Sequence, residues 1–336
     1  MAPGLSYRRA VARPCGGPCH LLCCPLVADQ GGYGVRYVDP RFQKAVLKRL
    51  EALGHGIFYI ILRIAGQPGA YALLIPVVLI YVIVGRRIHQ LMSPYLRRRF
   101  PKHNLIERRR DTFRIVHSFG QILVDRAWLG LNRFARLHGG FDGWDTILGL
   151  IEQRKGLVLL TAHVGNWQVA LAHLNDLPVP VHALMHYEEE VVAKHYFDLR
   201  SESCPFRIIK TDGFLGGVVE ATAALQRGEV VTIMGDRLAG GPSATVKFLD
   251  SQVRFPAGVY RLAAATGAPI AVLLAAKTSR QSYNLRVWDV FHPSYSDREH
   301  RKSDLTAWTG RFSKALEAYV TKFPYQWYNF YDFWNQ

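Results

Sequence analysis

The segment LLTAHVGNWQVA, residues 159–170, contains the residues of this chain best suited to chemistry. His163 follows an apolar run that predicts a short strand buried on both faces, and Gly165 would let the backbone turn tightly into a helix. Side chains at strand ends in open α/β sheets line ligand crevices. A neutral imidazole there could act as a general base near pH 7, although a single histidine is more often structural.

A second polar turn ends the strand-like run GEVVTIMGDR, residues 228–237. Arg237 could hold a phosphate group, and Asp236 could position either Arg237 or His163. The alternative is an ordinary turn with a surface ion pair. Asp236 and Arg237 are therefore candidates for the second half of the site.

The elements that must position these residues alternate along the chain from about residue 111. This alternation predicts an α/β fold in which helices flank a central mixed sheet. The predicted strands are GLVLLTAH, VHALM, FRIIK, EVVTIMGDR, PIAVLLAAK and NLRVWDVF. The predicted helices are RIVHSFGQILVDRAWLGL, NWQVALAHL, VVEATAALQRG, YRLAAATG and SDLTAWTGRFSKALEAYVTKF.

Several of these segments together resemble one known family. His-Val-Gly-Asn-Trp-Gln, residues 163–168, resembles the His-x4-Asp/Glu motif of the lysophospholipid acyltransferase superfamily. The closest form is the His-x-Gly-Asn-Trp-Glu of relatives of the late (lauroyl or myristoyl) acyltransferases of bacterial lipid A synthesis. Residues 228–237 and 247–275 are similar to later blocks of that branch, as is the aromatic ending FPYQWYNFYDFW. The resemblance covers about residues 50–336 and implies a glycerolipid acyltransferase-like fold.

The resemblance implies acyl transfer from an acyl carrier protein or coenzyme A thioester to a hydroxyl of a lipid or glycolipid. His163 would be the general base, and neither a metal nor another cofactor is implied. The residues implied to bind substrate are Asn166, Arg237, Arg254, Phe255 and Gly258, with Phe255 and Gly258 shaping a loop beside the acyl group. For the last two, the alternative is a simple turn into the next helix.

The chain departs from the family pattern at Gln168, where an acidic residue would orient the imidazole. Its amide oxygen can accept a hydrogen bond but brings no negative charge. In serine proteases the analogous loss of charge lowers the rate about 10⁴-fold, partly through a wrong histidine tautomer. Glutamine could suffice, another carboxylate such as Asp236 could substitute, or the protein could bind lipid without catalysing transfer.

The sequence pattern divides the chain into three predicted regions. Residues 1–40 form a poorly ordered tail, residues 41–110 form a membrane-associated helical region with a basic flank, and residues 111–336 form a catalytic domain. The run AYALLIPVVLIYVIV, residues 70–84, has 15 apolar residues, whereas a spanning helix needs about 20. A tilted span over roughly residues 66–86 and a helical hairpin in one leaflet both fit. A buried helix of a soluble domain is the alternative.

Half of the formal net charge of +16 lies directly after this apolar run. The basic residues there are Arg86, Arg87, Arg97, Arg98, Arg99, Lys102, Arg108, Arg109, Arg110 and Arg114, against Glu107 and Asp111. Because the cluster follows an apolar segment, its position favours binding to anionic lipid headgroups over binding to nucleic acid. Its positive charge would also suit binding to an acidic carrier protein. Together with the family resemblance, the basic cluster predicts that the protein is located at the bacterial inner membrane, with the catalytic domain on the cytoplasmic face.

The remaining sequence features give weaker indications of function. Four cysteines at positions 15, 19, 23 and 24 do not have the spacing of a zinc site or a redox Cys-x-x-Cys pair. The sequence contains no Gly-x-Ser-x-Gly, Walker, Gly-x-Gly-x-x-Gly or His-Glu-x-x-His motif, which argues against serine hydrolases, nucleotide-driven enzymes and zinc proteases. The terminal aromatics suit a membrane interface or an acyl-chain wall, and core packing equally.

Overall fold

The computed structural model describes residues 40–131, 138–166, 174–185, 206–211, 214–238 and 240–335. Residues 1–39 of the predicted tail, and the helix predicted in NWQVALAHL beyond Asn166, lie outside these ranges. The described helices are α1 (Pro40–Val84), α2 (Arg86–Arg99), α3 (Leu105–Leu131), α4 (Trp144–Glu152), α5 (Val218–Gln226), α6 (Gly258–Thr266) and α7 (Arg301–Lys322).

The described strands follow the apolar runs of the sequence, with three additions. They are β1 (His138–Asp142), β2 (Leu157–Thr161), β3 (Val181–Met185), β4 (Arg207–Lys210), β5 (Val230–Met234), β6 (Ser243–Phe248), β7 (Ser251–Pro256), β8 (Ile270–Lys277) and β9 (Ser282–Phe291). The sequence interpretation did not include β1, β6 or β7.

Seven of these strands form one mixed sheet in the order β1-β9-β8-β2-β5-β3-β4 within the described part of the chain. The five strands from β8 to β4 are parallel to one another, β9 is antiparallel to β8, and β1 is parallel to β9. Strand β2 is central because its residues Leu157–Leu160 are apolar and fully buried. The predicted α/β fold with a central mixed sheet is confirmed.

Strands β6 and β7 form a separate antiparallel hairpin that packs under helix α7. Its turn residues Leu249 and Asp250 both have positive φ angles, 46° and 60°, which suit a two-residue hairpin turn. Phe255 of β7 meets Phe312 of α7 edge to face, with ring centroids 5.6 Å apart. The hairpin therefore adds an aromatic layer beside the main sheet.

Helix α1 lies along helix α3 rather than standing apart from the domain. It is kinked at Gly66, which has a positive φ of 63°. Beyond the kink, every fourth residue is buried, and a Cβ added at Gly120 of α3 would come within 2.6 Å of the Leu74 side chain. The buried stripe is Ala70, Leu74, Val78 and Val82. The segment Gly54–Val84 is long and apolar enough to cross a membrane, and its outer face exposes Ile75, Ile80 and Ile83.

Part of the basic cluster after α1 makes intramolecular contacts. Arg99 donates to the backbone oxygens of Val320 and Thr321 at 3.0 and 2.9 Å and so caps the end of α7. Arg98 donates to Ser251 Oγ at 2.9 Å and lies 4.2 Å above the Trp334 ring. These two arginines fasten the hairpin and the C-terminal residues to α2.

Helix α3 runs without a break across the predicted domain boundary between residues 110 and 111. It contacts both α1 and α2, and buried apolar residues of these three helices and of the sheet belong to one cluster. The three predicted regions, residues 1–40, 41–110 and 111–336, stay predictions.

Candidate active site

His163 and Asp236 meet at the carboxyl ends of two neighbouring parallel strands. Each lies two residues beyond its strand, and the strand ends Thr161 of β2 and Met234 of β5 are paired in register. The His163 Nδ1 is 2.8 Å from Asp236 Oδ1, and the His163 backbone N–H donates to Asp236 Oδ2 at 3.0 Å. The same carboxylate thus holds both the ring and the backbone of the histidine.

The Asp236 carboxylate is fully buried but ionised at neutral pH. Burial raises its pKa, but the charge and hydrogen bond of His163, with the nearby Arg237 guanidinium, bring this pKa down to about 2. The indole Nε1 of Trp327 donates a further hydrogen bond to Oδ2 at 3.0 Å. The site therefore has a fixed negative charge, fully hydrogen-bonded, behind the imidazole.

The His163 imidazole is neutral in this environment. Burial lowers its pKa, Asp236 opposes that effect, and Arg237 lowers the pKa further, so the net value lies below the usual 6.5. Because Nδ1–H donates to the ionised Asp236, the neutral tautomer has its lone pair on Nε2. The side chain is 21% exposed, so part of the imidazole is accessible from outside the protein.

The C-terminal segment fastens the loop that carries His163. The Tyr328 N–H donates to the His163 backbone oxygen at 2.8 Å, and the Gly165 N–H donates to the Gln326 oxygen at 3.0 Å. Gly165 has a positive φ of 50°, and a Cβ there would lie 2.1 Å from the Ala275 oxygen. Only glycine fits this close approach, so the predicted tight turn after His163 has a steric basis.

Sequence reasoning missed this role of the C-terminal segment. The aromatic residues Trp327, Tyr328, Phe330 and Phe333 are buried, so of the alternatives considered for the ending, core packing describes these four side chains. A signal was present, since buried indoles usually need a partner for their N–H. The partner itself, Asp236, is 91 residues away and could not be chosen from the sequence.

Arg237 lies directly beside the pair. One of its Nη atoms donates to the Tyr328 backbone oxygen at 3.1 Å, and its guanidinium carbon is 5.7 Å from the centre of the Tyr331 ring. Its buried Nε has no hydrogen-bond partner among the residues that the structure describes. An arginine so placed retains a donor for an anionic or carbonyl group of a substrate.

The other predicted site residues are distributed around this centre. Asn166 is buried and its side chain lies beside the Tyr283 hydroxyl, while Gln168 lies outside the described residues. Phe255 is fully buried against Phe248, whose ring centroid is 5.3 Å from that of Trp327, the Asp236 partner.

Arg254 and Gly258 lie at the hairpin and the helix that follows it. Arg254 is exposed on β7, and Gly258 is the first residue of α6. Both stay predictions as substrate-binding residues. In the described ranges, no group of three or more His, Cys, Asp or Glu side chains is placed to hold a metal ion.

A histidine–carboxylate pair at the carboxyl ends of adjacent parallel strands places the site in the class of α/β enzyme crevices. Within that class, residues 95–336 match the family described as bacterial lipid A biosynthesis acyltransferase, and the chain belongs to this family. The match begins in α2 and reaches the last residue, which confirms the resemblance to the lipid A late acyltransferases. The chain has no significant match among curated proteins. The family indicates an acyltransferase that acts on a lipid acceptor.

Proposed function

We propose that this protein transfers an acyl chain from an acyl carrier protein or coenzyme A thioester to a hydroxyl of a lipid or glycolipid, with His163 as general base. The observation that carries the proposal is the His163–Asp236 pair at the strand ends. Asp236 supplies the charge that Gln168 lacks, which favours catalysis over the alternative of an inactive lipid-binding protein.

In the proposed reaction, Nε2 of His163 removes the proton of the acceptor hydroxyl as its oxygen attacks the thioester carbonyl. The new C–O bond gives a tetrahedral oxyanion, whose collapse breaks the C–S bond. The imidazolium then returns the proton to the leaving thiolate. Asp236 stabilises the imidazolium while it exists and keeps Nδ1 protonated throughout, so that Nε2 faces the reaction in each cycle.

The neighbouring residues have supporting roles in this proposal. The Nε of Arg237, which has no hydrogen-bond partner among the described residues, suits a phosphate of either substrate or the oxyanion. Asn166, Arg254, Phe255 and Gly258 keep the substrate-binding roles that the family pattern implies. No step needs a metal or another cofactor, because the thioester is already activated for attack.

The proposed setting is the cytoplasmic face of a bacterial inner membrane. The apolar outer face of α1 supports contact with lipid. The basic residues that follow it support contact with anionic headgroups and with an acidic carrier protein. The same residues could support nucleic-acid binding, but the histidine site has no use in that role.

The test measures transfer of radiolabelled acyl groups from acyl carrier protein and from coenzyme A into lipid extract. Membranes contain the wild type, His163→Ala or His300→Ala, the last being an exposed histidine paired with Asp297 at 2.7 Å. Label should enter lipid with the wild type and His300→Ala and fall to background with His163→Ala. Transfer that survives His163→Ala would refute the assigned base, and background from every preparation would favour a lipid-binding protein.

A further inference from the structure

The Asp125 carboxylate, on α3, is fully buried and receives four donors. Its Oδ1 accepts from Gln67 Nε2 at 2.6 Å and from the Tyr71 hydroxyl at 2.5 Å. Its Oδ2 accepts from Lys277 Nζ at 2.5 Å and from the Tyr283 hydroxyl. A buried charge is tolerated only with such a complete set of partners, and the removal of one partner disturbs the rest.

The four donors come from separate parts of the fold. Gln67 and Tyr71 belong to the apolar helix α1, just beyond its kink at Gly66. Lys277 is the last residue of β8, and Tyr283 is its partner in register on β9. Strand β8 is parallel to β2 and ends at the same edge of the sheet as β2, where His163 lies. Asp125 therefore joins α1 to the sheet beside the catalytic loop.

Two lines of contact continue from Asp125 to that loop. In the first, the side chain of Asn166, three residues after His163, lies beside the Tyr283 hydroxyl. In the second, the Gln326 side chain bonds both the N–H and the oxygen of Lys277 at 2.8 Å, and the Gln326 oxygen accepts from the Gly165 N–H.

We propose that Asp125 is a positioning residue that couples the seating of α1 on α3 to the geometry of the loop at residues 163–166. The inference rests on the proposed function of His163. Stability alone is a weak reason for the cluster, since a buried ion pair often stabilises a fold no more than well-packed apolar residues of similar volume do. A role in alignment accounts for why both lines of contact end on the same short loop. Helix α1 is then part of the support of the active site as well as a lipid-facing helix.

The test compares Tyr71→Phe and Tyr283→Phe in the full-length protein in lipid nanodiscs. Each variant removes one hydroxyl from the cluster and keeps the ring. The matched control is Tyr59→Phe, because Tyr59 also lies on α1 and packs against α3. Asp125→Asn is a further variant, and the thermal midpoint of each protein reports whether it is folded.

Two quantities are measured for each variant: kcat and KM for acyl transfer, and the rate at which diethyl pyrocarbonate modifies His163, followed by mass spectrometry. We expect Tyr71→Phe and Tyr283→Phe to lower kcat about tenfold with little change in KM, since hydrogen-bonded networks carry coupling of this size. The modification of His163 should accelerate about threefold as the loop loosens. Tyr59→Phe should change neither quantity.

The modification rate separates this inference from the proposed function. If the wild type transfers no acyl group from any donor, the proposed function fails, and the modification rate still decides whether the cluster positions the loop. The positioning role is refuted if Tyr71→Phe and Tyr283→Phe match Tyr59→Phe in the modification rate. A uniform loss of thermal stability with unchanged kcat and modification rate would likewise assign the cluster to stability alone.

Discussion

At the scale of single residues, the site combines a half-buried histidine, the proposed base, with a fully buried charge. His163 was identifiable from its position after a buried apolar run, and Asp236 was considered as a replacement for the missing acid. Their contact depends on β2 and β5 being adjacent, which the order of strands along the chain does not determine. Trp327 and Gln326 were not identified, because they lie in an irregular C-terminal segment and their contacts reach across the fold to Asp236 and Lys277.

The first residue-scale prediction distinguishes Asp236 from Gln168 as the partner of the base. Asp236→Asn should lower kcat/KM by about 10³- to 10⁴-fold, because an amide removes the charge and favours the wrong imidazole tautomer, as in serine proteases. Gln168→Ala should stay within about threefold of the wild type, since the loss of a neutral hydrogen bond is modest.

The matched control for Asp236→Asn is Asp297→Asn, which removes the carboxylate of the exposed His300 pair. Steady-state kinetics on the folded variants makes the comparison. A large loss in Gln168→Ala together with near-normal activity in Asp236→Asn would reverse the assignment.

The second residue-scale prediction concerns pH. Burial and the Arg237 charge lower the pKa of His163 from its usual 6.5, so the proposed base stays neutral until the pH falls to this lowered pKa. Arg237→Gln removes a positive neighbour that disfavours the imidazolium, so the acid limb of the kcat/KM profile should move to higher pH. Arg237→Lys keeps the charge and should leave the limb near its original position. A limb that moves to lower pH in Arg237→Gln would contradict the electrostatic role.

At the scale of elements, the apolar runs predicted six strands of the main sheet. β2, β3, β4, β5, β8 and β9 all occur where those runs lie, and the central strands β2 and β8 are almost continuously apolar because they are buried on both faces. The hairpin β6–β7 was missed although its signal was present, since burial alternates at Ala244, Val246 and Phe248.

Strand β1 could not be predicted in the same way. Its sequence, HGGFD, contains two glycines, and the strand is largely exposed. It exists as a strand because it pairs with β9 at the edge of the sheet, which is a tertiary interaction. The last helix was predicted over SDLTAWTGRFSKALEAYVTKF, residues 303–323, whereas α7 begins two residues earlier, at Arg301, and ends at Lys322.

At the scale of the whole molecule, α1 and the catalytic centre belong to one packed body. One stripe of α1 is buried on α3, and Gln67 is bonded to the Asp125 cluster, so lipid cannot surround this helix on all sides. The remaining face is apolar and exposed next to the basic residues that follow Val84. This arrangement favours a helix that enters the membrane by one face, with the reaction crevice held close to the lipid surface.

The whole-molecule prediction tests that face directly. Ile80 and Ile83 are 63% and 73% exposed, so Ile80→Asn and Ile83→Asn should leave the fold intact while each lowers binding to anionic lipid vesicles about tenfold. Val219→Asn, at an exposed apolar residue of α5, is the control and should bind as the wild type does. Vesicle flotation gives the bound fraction, and circular dichroism reports folding. If the α1 variants float as well as the control, lipid contact must lie elsewhere on the molecule, and acyl transfer to a soluble acceptor by the same variants should then be unaffected.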